Sequence, residues 1–216
     1  SVHRSKRGPT MHIVAWPPDA MLPPMFGCCA QRDDCMEGEQ LYGEGEFEVC
    51  IDKDSGIQLG LELDLLDGVA AVIMAVKPGA IQHYNEAVAA CSQIKAGDRI
   101  VSVNGTRGDS KMLVDRMKRE RRLELSVCSP SEYHICIDRG DAPLGVELNY
   151  LHNGSSLLVT DICPGPLEKW NAAHPDQLVQ KLDRIIEVNG IRGAPKQLLD
   201  AMAGKSKLHL TFARFA

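Results

Sequence analysis

Gly108-Asp109-Ser110 has the residue types of an activated serine nucleophile, and His83, His134, His152, His174 and His209 stand in the same chain as candidate bases or metal ligands. Their spacing defeats both readings. No His-x-x-x-His pair and no His-carboxylate spacing assembles a metal site or a triad, and the serine lacks a following Gly-Gly. Asp109 or Ser110 instead suits a helix N-cap, because either side chain accepts a bond from an amide two or three residues on. Of the eight cysteines, Cys28, Cys29 and Cys35 lie in an irregular segment. Adjacent cysteines rarely ligate one ion, which leaves a redox or lipidation role open there. Cys50, Cys128, Cys136 and Cys163 fall in alternating patterns and are expected mostly in the core, Cys50 and Cys136 at equivalent positions. Arg107-Gly108-Asp109 and the sequons at Asn104 and Asn153 read first as turns. No catalytic residue, cofactor or metal is expected.

A formal net charge of -5 gives no basic footprint for tracking phosphates, so no nucleic-acid partner is expected. The basic run from Lys111 to Arg122 alternates with Asp115 and Glu120, as a solvated helix face does. No run is long enough to cross a bilayer. An intracellular location, cytoplasmic or organellar, is the expectation, and it leaves peripheral membrane association open. His3-Arg4-Ser5-Lys6-Arg7 is compatible with the remnant of a targeting address.

The elements that position these residues come in two sets. Gln58-Leu59-Gly60-Leu61 opens a block closed by Gly97-Asp98-Arg99-Ile100-Val101-Ser102-Val103-Asn104-Gly105. Pro143-Leu144-Gly145-Val146 opens another, closed by Leu182-Asp183-Arg184-Ile185-Ile186-Glu187-Val188-Asn189-Gly190. Pro78-Gly79 is answered by Pro164-Gly165, and Asn85 by Asn171, at an offset of 86 residues. Such a repeat means two copies of one fold, here with one loop deletion near Gly140 to Pro143. Period-two alternation predicts strands over 47–51, 59–64, 69–76, 99–103 and 123–127, with helices over 80–90 and from 109 or 110. The second copy repeats the order, with strands near 134–138, 144–150, 157–162, 184–188 and 208–213. Its helices follow Pro164 and begin at Lys196. Domains are therefore expected over 46–128 and 133–216, joined by a linker at 129–132 too short to leave their orientation free. Residues 1–45 form a proline-rich extension carrying Trp16, Met21, Leu22, Met25 and Phe26. It is too apolar for a flexible linker and is expected to lie extended over a domain or a partner.

A Φ-Gly-Φ opening of the second strand, a Pro-Gly before the first helix and a Gly-Asp-x-Ile-x-x-Val-Asn-Gly run before the second, in register twice, resemble the PDZ family. The resemblance covers about 47–128 and 133–214, nearly four fifths of the chain, with Leu182 departing from it where Gly97 conforms. It implies an α+β, mainly β fold of two partly open antiparallel barrels, each capped by two helices. It also implies capture of a partner's C-terminus, or of an extended segment, as an added strand between the second strand and the second helix. The amides of Leu59, Gly60 and Leu61 would converge on a terminal carboxylate, the missing Cβ of Gly60 admitting the ligand backbone. Leu144, Gly145 and Val146 would do the same in the second copy. Lys53 and Arg139 match the basic position that assists the carboxylate. Leu63, Ser110, Val114 and Met117 would line the first groove, and Leu148, Leu199 and Met202 the second, with Leu113 turned to the core.

Where the family's histidine bonds a ligand Ser or Thr, this chain has Ser110 and Pro195, so an apolar terminus is the expected ligand. Charge-assisted bonds of roughly 1.5–3 kcal/mol each, and about 1.5–3 kcal/mol from one buried aliphatic side chain, outweigh association costs to give micromolar binding, near ~8 kcal/mol. Two linked grooves add avidity. The first groove, with Gly97-Asp98 and a polar Ser110, is the expected binder, and the second its support. Two other functions compete: an accessory subunit of a larger membrane-bound or organellar assembly, held through the extension and domain faces, and a regulatory fragment of a PDZ-bearing protease. Under a further reading both glycine loops are architectural and the grooves are filled by neighbouring chain or by the extension.

Overall fold

The computed structural model describes residues 45–53 and 56–215; the N-terminal extension with Cys28, Cys29 and Cys35, and the Asp54-Ser55 part of the first turn, lie outside them. The first copy runs β1 (Glu46–Asp52), β2 (Leu61–Asp64), β3 (Ala71–Val76), α1 (Ala80–Ala87), a 3-10 turn (Ala90–Ser92), β4 (Arg99–Val103), β5 (Thr106–Arg107), α2 (Ser110–Arg119) and β6 (Arg122–Cys128). The second repeats it as β7 (Ser131–Asp138), β8 (Val146–Asn149), β9 (Leu157–Ile162), α3 (Pro166–Ala173), a 3-10 turn (Pro175–Gln177), β10 (Arg184–Val188), β11 (Ile191–Arg192), α4 (Pro195–Met202) and β12 (Lys207–Arg214). Each copy is an open six-stranded antiparallel sheet, ordered β1-β6-β4-β3-β2 with β5 on β4, and β7-β12-β10-β9-β8 with β11 on β10. The architecture is α+β and mainly β, as the resemblance implies, with each sheet open.

The alternation in β1 buries Phe47, Val49 and Ile51, which meet Ile73, Ile100, Leu113 and Leu125 in the first core. Ile135 and Ile137 of β7 do the same with Leu157, Ile185, Leu198 and Phe212 in the second. That pleat overturns the expectation for the cysteines. Among the described ones only Cys128 is buried; Cys50 and Cys163 are half-buried, and Cys91 and Cys136 are exposed. With their neighbours pointing inward, Cys50 and Cys136 sit on the outer face of β1 and β7.

Asparagines fasten the turns in both copies. Asn85 donates to Ile94 O at 2.7 Å and accepts the Ile94 amide at 2.9 Å; Asn171 holds Val179 in the same way, at 2.9 Å for both bonds. Asn104 and Asn189 take φ of 49° and 51° before a glycine, the backbone of a tight hairpin, and their side chains accept the Glu124 and His209 amides at 2.6 and 2.9 Å. Asp109 is the cap of α2, accepting the Met112 amide at 2.8 Å, and Ser110 is the first residue of the helix.

Leu182 holds φ of 74° where its counterpart Gly97 has 96°. Their amides make matching bonds, to Val159 O at 2.9 Å and Ile73 O at 2.8 Å, so the turn imposes the conformation on whichever residue stands there. An L-residue pays roughly 1–2 kcal/mol for it. The Leu182 side chain is 43% exposed and has little burial to lose. Leu182→Gly is therefore expected to stabilise the chain by about 1 kcal/mol, net of the glycine's own entropy cost. A higher urea midpoint with an unchanged slope checks it.

Candidate functional site

Edge strands define the candidate site. Among the described strands β2 pairs only with β3, and β8 only with β9. Each therefore leaves one row of backbone groups unpaired among the described strands, the requirement for adding a strand. Each also carries a register shift at the same place, between Glu62 and Leu63 and between Glu147 and Leu148. Leu59, Leu61 and Leu63 lie half-buried against the first core, with Val114 of α2 over the same core. In the second copy Val146 and Leu148, with Leu199 and Met202 of α4, hold that position. Leu144 is buried.

The loop leading into β2 has a definite polarity. Gln58 O accepts the Ala80 amide at 3.0 Å, Leu59 O the Ile81 amide at 3.1 Å and Gly60 O the Lys77 amide at 2.8 Å. All three carbonyls thus point toward the start of α1. Because a trans peptide sets each N–H opposite the carbonyl before it, the amides of Leu59, Gly60 and Leu61 point the other way. Among the described residues the Leu59 and Gly60 amides donate to nothing. In the second copy Leu144 O and Gly145 O are held at 3.0 Å by the Leu167 and Cys163 amides, which turns the Gly145 and Val146 amides outward. Outward amides in series form an anion-binding concavity. It comprises three groups in the first copy and two in the second.

Gly60 has a different reason for being glycine than the sequence suggests. An added Cβ there meets Lys77 O at 2.6 Å, and one on Gly79 meets Gln58 O at 2.5 Å. Gly60 also holds φ of 79°. Its missing side chain admits the Pro78-Gly79 backbone, not a ligand. Gly145 faces Cys163 O and Gly165 likewise, at 2.9 and 3.0 Å.

Lys53 and Arg139 are also differently employed. Lys53 Nζ donates to Met117 O at 2.5 Å, at the end of α2. Arg139 donates to Met202 O at 2.9 Å, Lys205 O at 2.8 Å and Ala142 O at 2.9 Å. Each cation closes off the carbonyls that a helix leaves unpaired at its C-terminus, where the helix dipole favours positive charge. Ser110 is buried, its amide bonded to Gly68 O at 3.1 Å. Met117, 4% exposed, belongs to the core, whereas its counterpart Met202 is half-buried. Tyr84 and Trp170, at equivalent places in α1 and α3, pack against their cores.

The aspartates of the two closing runs are structural. Asp98 accepts the Lys95 amide at 2.7 Å and the Ser129 hydroxyl at 2.8 Å. Asp183 accepts the Gln180 amide and the Tyr133 hydroxyl at 2.7 Å each, and Arg214 Nε and Nη2 at 2.8 and 2.6 Å. Sequence reasoning missed this network, although the two copies differ there: Tyr133 replaces Phe47, and Arg214 replaces Ser129. Burial, and then the bond to Asp183, push the Tyr133 phenol far above the ordinary tyrosine range. The folded chain thus keeps a proton that the unfolded chain gives up near pH ~10. This contribution to stability is complete below pH ~10 and is lost as pH rises further. Tyr133→Phe is expected to flatten the fall of urea stability between pH ~9 and ~11 relative to wild type.

Among the described residues no group of three or more His, Cys, Asp or Glu is placed to hold a metal ion, and no helix is long and apolar enough to cross a membrane. No family model matches the chain, and no curated protein sequence does. Among solved structures it is similar to INAD PDZ45 in complex with an NG2 peptide, at 18% identity and a TM-score of 0.34, covering 79% of this chain and 89% of that one. It is similar to INAD PDZ45 with NORPA CC-PBM at the same identity and TM-score, covering 79% of this chain and 90% of that one.

Proposed function

We propose that the chain is a non-enzymatic tandem of two PDZ-like domains that binds a partner protein's C-terminus or extended segment by strand addition. The proposed domains are 46–128 and 133–216, joined by 129–132; β7 begins at Ser131, inside that short join. The observation that carries the reading is the run of three outward amides at Leu59, Gly60 and Leu61, leading into β2, whose outer edge is unpaired among the described strands. A terminal carboxylate satisfies those amides, and the residues before it pair along the edge. Leu61, Leu63 and Val114 offer half-buried apolar contacts for the ligand's last side chain. With two outward amides, the second copy is the weaker binder. The fixed position of Lys53 leaves the backbone amides as the main source of carboxylate affinity.

An array of C-terminal peptides, each synthesised with a free and an amidated end, tests this. Amidation removes a charge-assisted interaction of roughly 1.5–3 kcal/mol, so binders are expected to weaken by about ten- to a hundredfold. Equal binding of both forms rejects carboxylate capture. No binding by any peptide rejects the peptide-binding reading and leaves an accessory role in a larger assembly.

A further inference from the structure

We propose that Arg184, a residue of the second copy, positions the ligand-receiving edge of the first. Arg184 opens β10 and is only 3% exposed. Its Nη1 donates to Asp64 Oδ2 at 2.5 Å and to Ser156 Oγ at 3.2 Å, and its Nη2 lies 3.9 Å from Asp67 Oδ2. Both carboxylates belong to the first copy. Asp64 ends β2, and its other oxygen accepts the Leu66 amide at 2.8 Å. Asp67 accepts the Val69 and Ala70 amides at 3.0 and 3.2 Å. The turn they build carries Gly68, whose carbonyl accepts the amide of Ser110, the first residue of α2. Arg184 therefore grips the turn that leads from β2 into β3 and is bonded to the start of α2, so that it reaches both elements that flank the proposed groove.

The arrangement runs in one direction. Arg99, the counterpart of Arg184, lies over the Phe215 ring at 5.1 Å, and the counterpart of Asp64 is the exposed Asn149. Stability alone does not explain the pair. Among the described residues Arg184 Nε and Nη2 have no hydrogen-bond partner, beside a cleft of about 430 Å³ between the copies. A buried ion pair with unmet donors is commonly no more stabilising than apolar residues of the same shape. What the pair does supply is a fixed direction and separation between two carboxylates and one guanidinium.

The inference rests on the proposed peptide binding for its consequence, but its test does not. Hydrogen exchange on the full chain without peptide is the deciding measurement. Arg184→Gln is expected to speed exchange at Leu66, Val69 and Ala70 by at least about tenfold while leaving the β7–β12 ladder unchanged, as local opening does. Arg184→Lys restores part of the protection. Asp64→Asn keeps an acceptor for the Leu66 amide and removes the charge; it gives the same local signature should Arg184→Gln fail to fold. Unchanged exchange in the turn, or a uniform rise across both copies, overturns the proposal. Where the array yields a free-carboxylate binder, its Kd for Arg184→Gln is expected to rise roughly tenfold; an unchanged Kd with a loosened turn also overturns it. If no peptide binds the wild type, the proposed function fails, and the exchange result still decides whether the second copy holds β2.

Discussion

Gly60→Val is expected to destabilise the first copy by about 3 kcal/mol or more, enough to unfold much of it under mild conditions. Two costs combine. At φ of 79° an L-residue pays roughly 1–2 kcal/mol, and a β-branched one sits at the upper end. A Cβ 2.6 Å from Lys77 O must then push apart two backbone segments already tied by the Lys77 N to Gly60 O bond at 2.8 Å, an overpacking cost of typically 1–3 kcal/mol. Neither neighbour is the loose end of a flexible side chain, so relief requires moving α1. Gly79→Val separates the two terms, since Gly79 has φ of 160°, which is extended backbone. It keeps the clash, at 2.5 Å from Gln58 O, without the strain, and should cost less than Gly60→Val. Urea titrations of both variants check the order; wild-type stability for Gly60→Val would refute the close-packing explanation. The groove must accordingly be tested elsewhere, for example at half-buried Val114, where a charged replacement disturbs the core less.

Asp183→Ala is the second large effect, expected at about 3–5 kcal/mol. The carboxylate is 2% exposed and receives four donors, two of them from Arg214. Removing it leaves that guanidinium and the Tyr133 hydroxyl facing each other at 3.1 Å, and the Gln180 amide without its acceptor. The bond to Asp183 also holds the Arg214 guanidinium protonated beyond its already high range. Asp183→Asn keeps the shape and an acceptor for the Gln180 amide but loses the charge, and should recover part of the loss. Calorimetry of both variants beside Tyr133→Phe checks the ranking. Equal stability of Asp183→Ala and wild type would mean that the network contributes nothing net.

Much of the architecture was legible because it is written in short periods. Phe47, Val49 and Ile51, and Leu208, Leu210 and Phe212, alternate inward as their pattern requires. Strand ends were less legible: β2 begins at Leu61, not Leu59, because the Leu59 carbonyl accepts the Ile81 amide of α1 and the Gly60 carbonyl the Lys77 amide, just past the end of β3. The single-deletion account of the repeat needs amending as well. Asp64 aligns with Asn149 but Val72 with Leu158, so the offset changes again in the loop after β8, which is longer than its counterpart. Leu59-Gly60-Leu61 points to the candidate site, although Gly60 is glycine because of the backbone packed against it. The motif marks a backbone that packs closely on one side, and the turned-out amides on the other side are its consequence.

By itself the sequence determined two copies of one strand-rich fold, the order of their strands and helices, and the cap of α2 at Asp109. Those features depend on residues a few positions apart, or on comparing one copy with the other. Tertiary structure alone decided the employment of charges. Lys53 and Arg139 went to helix ends, and Arg184 went to Asp64, a residue 120 positions earlier in the other copy. A charged side chain carries no period that names its partner. Its partner is whatever carboxylate or carbonyl the packed backbone leaves within reach of a long side chain, and that is settled only when the two sheets stand beside each other.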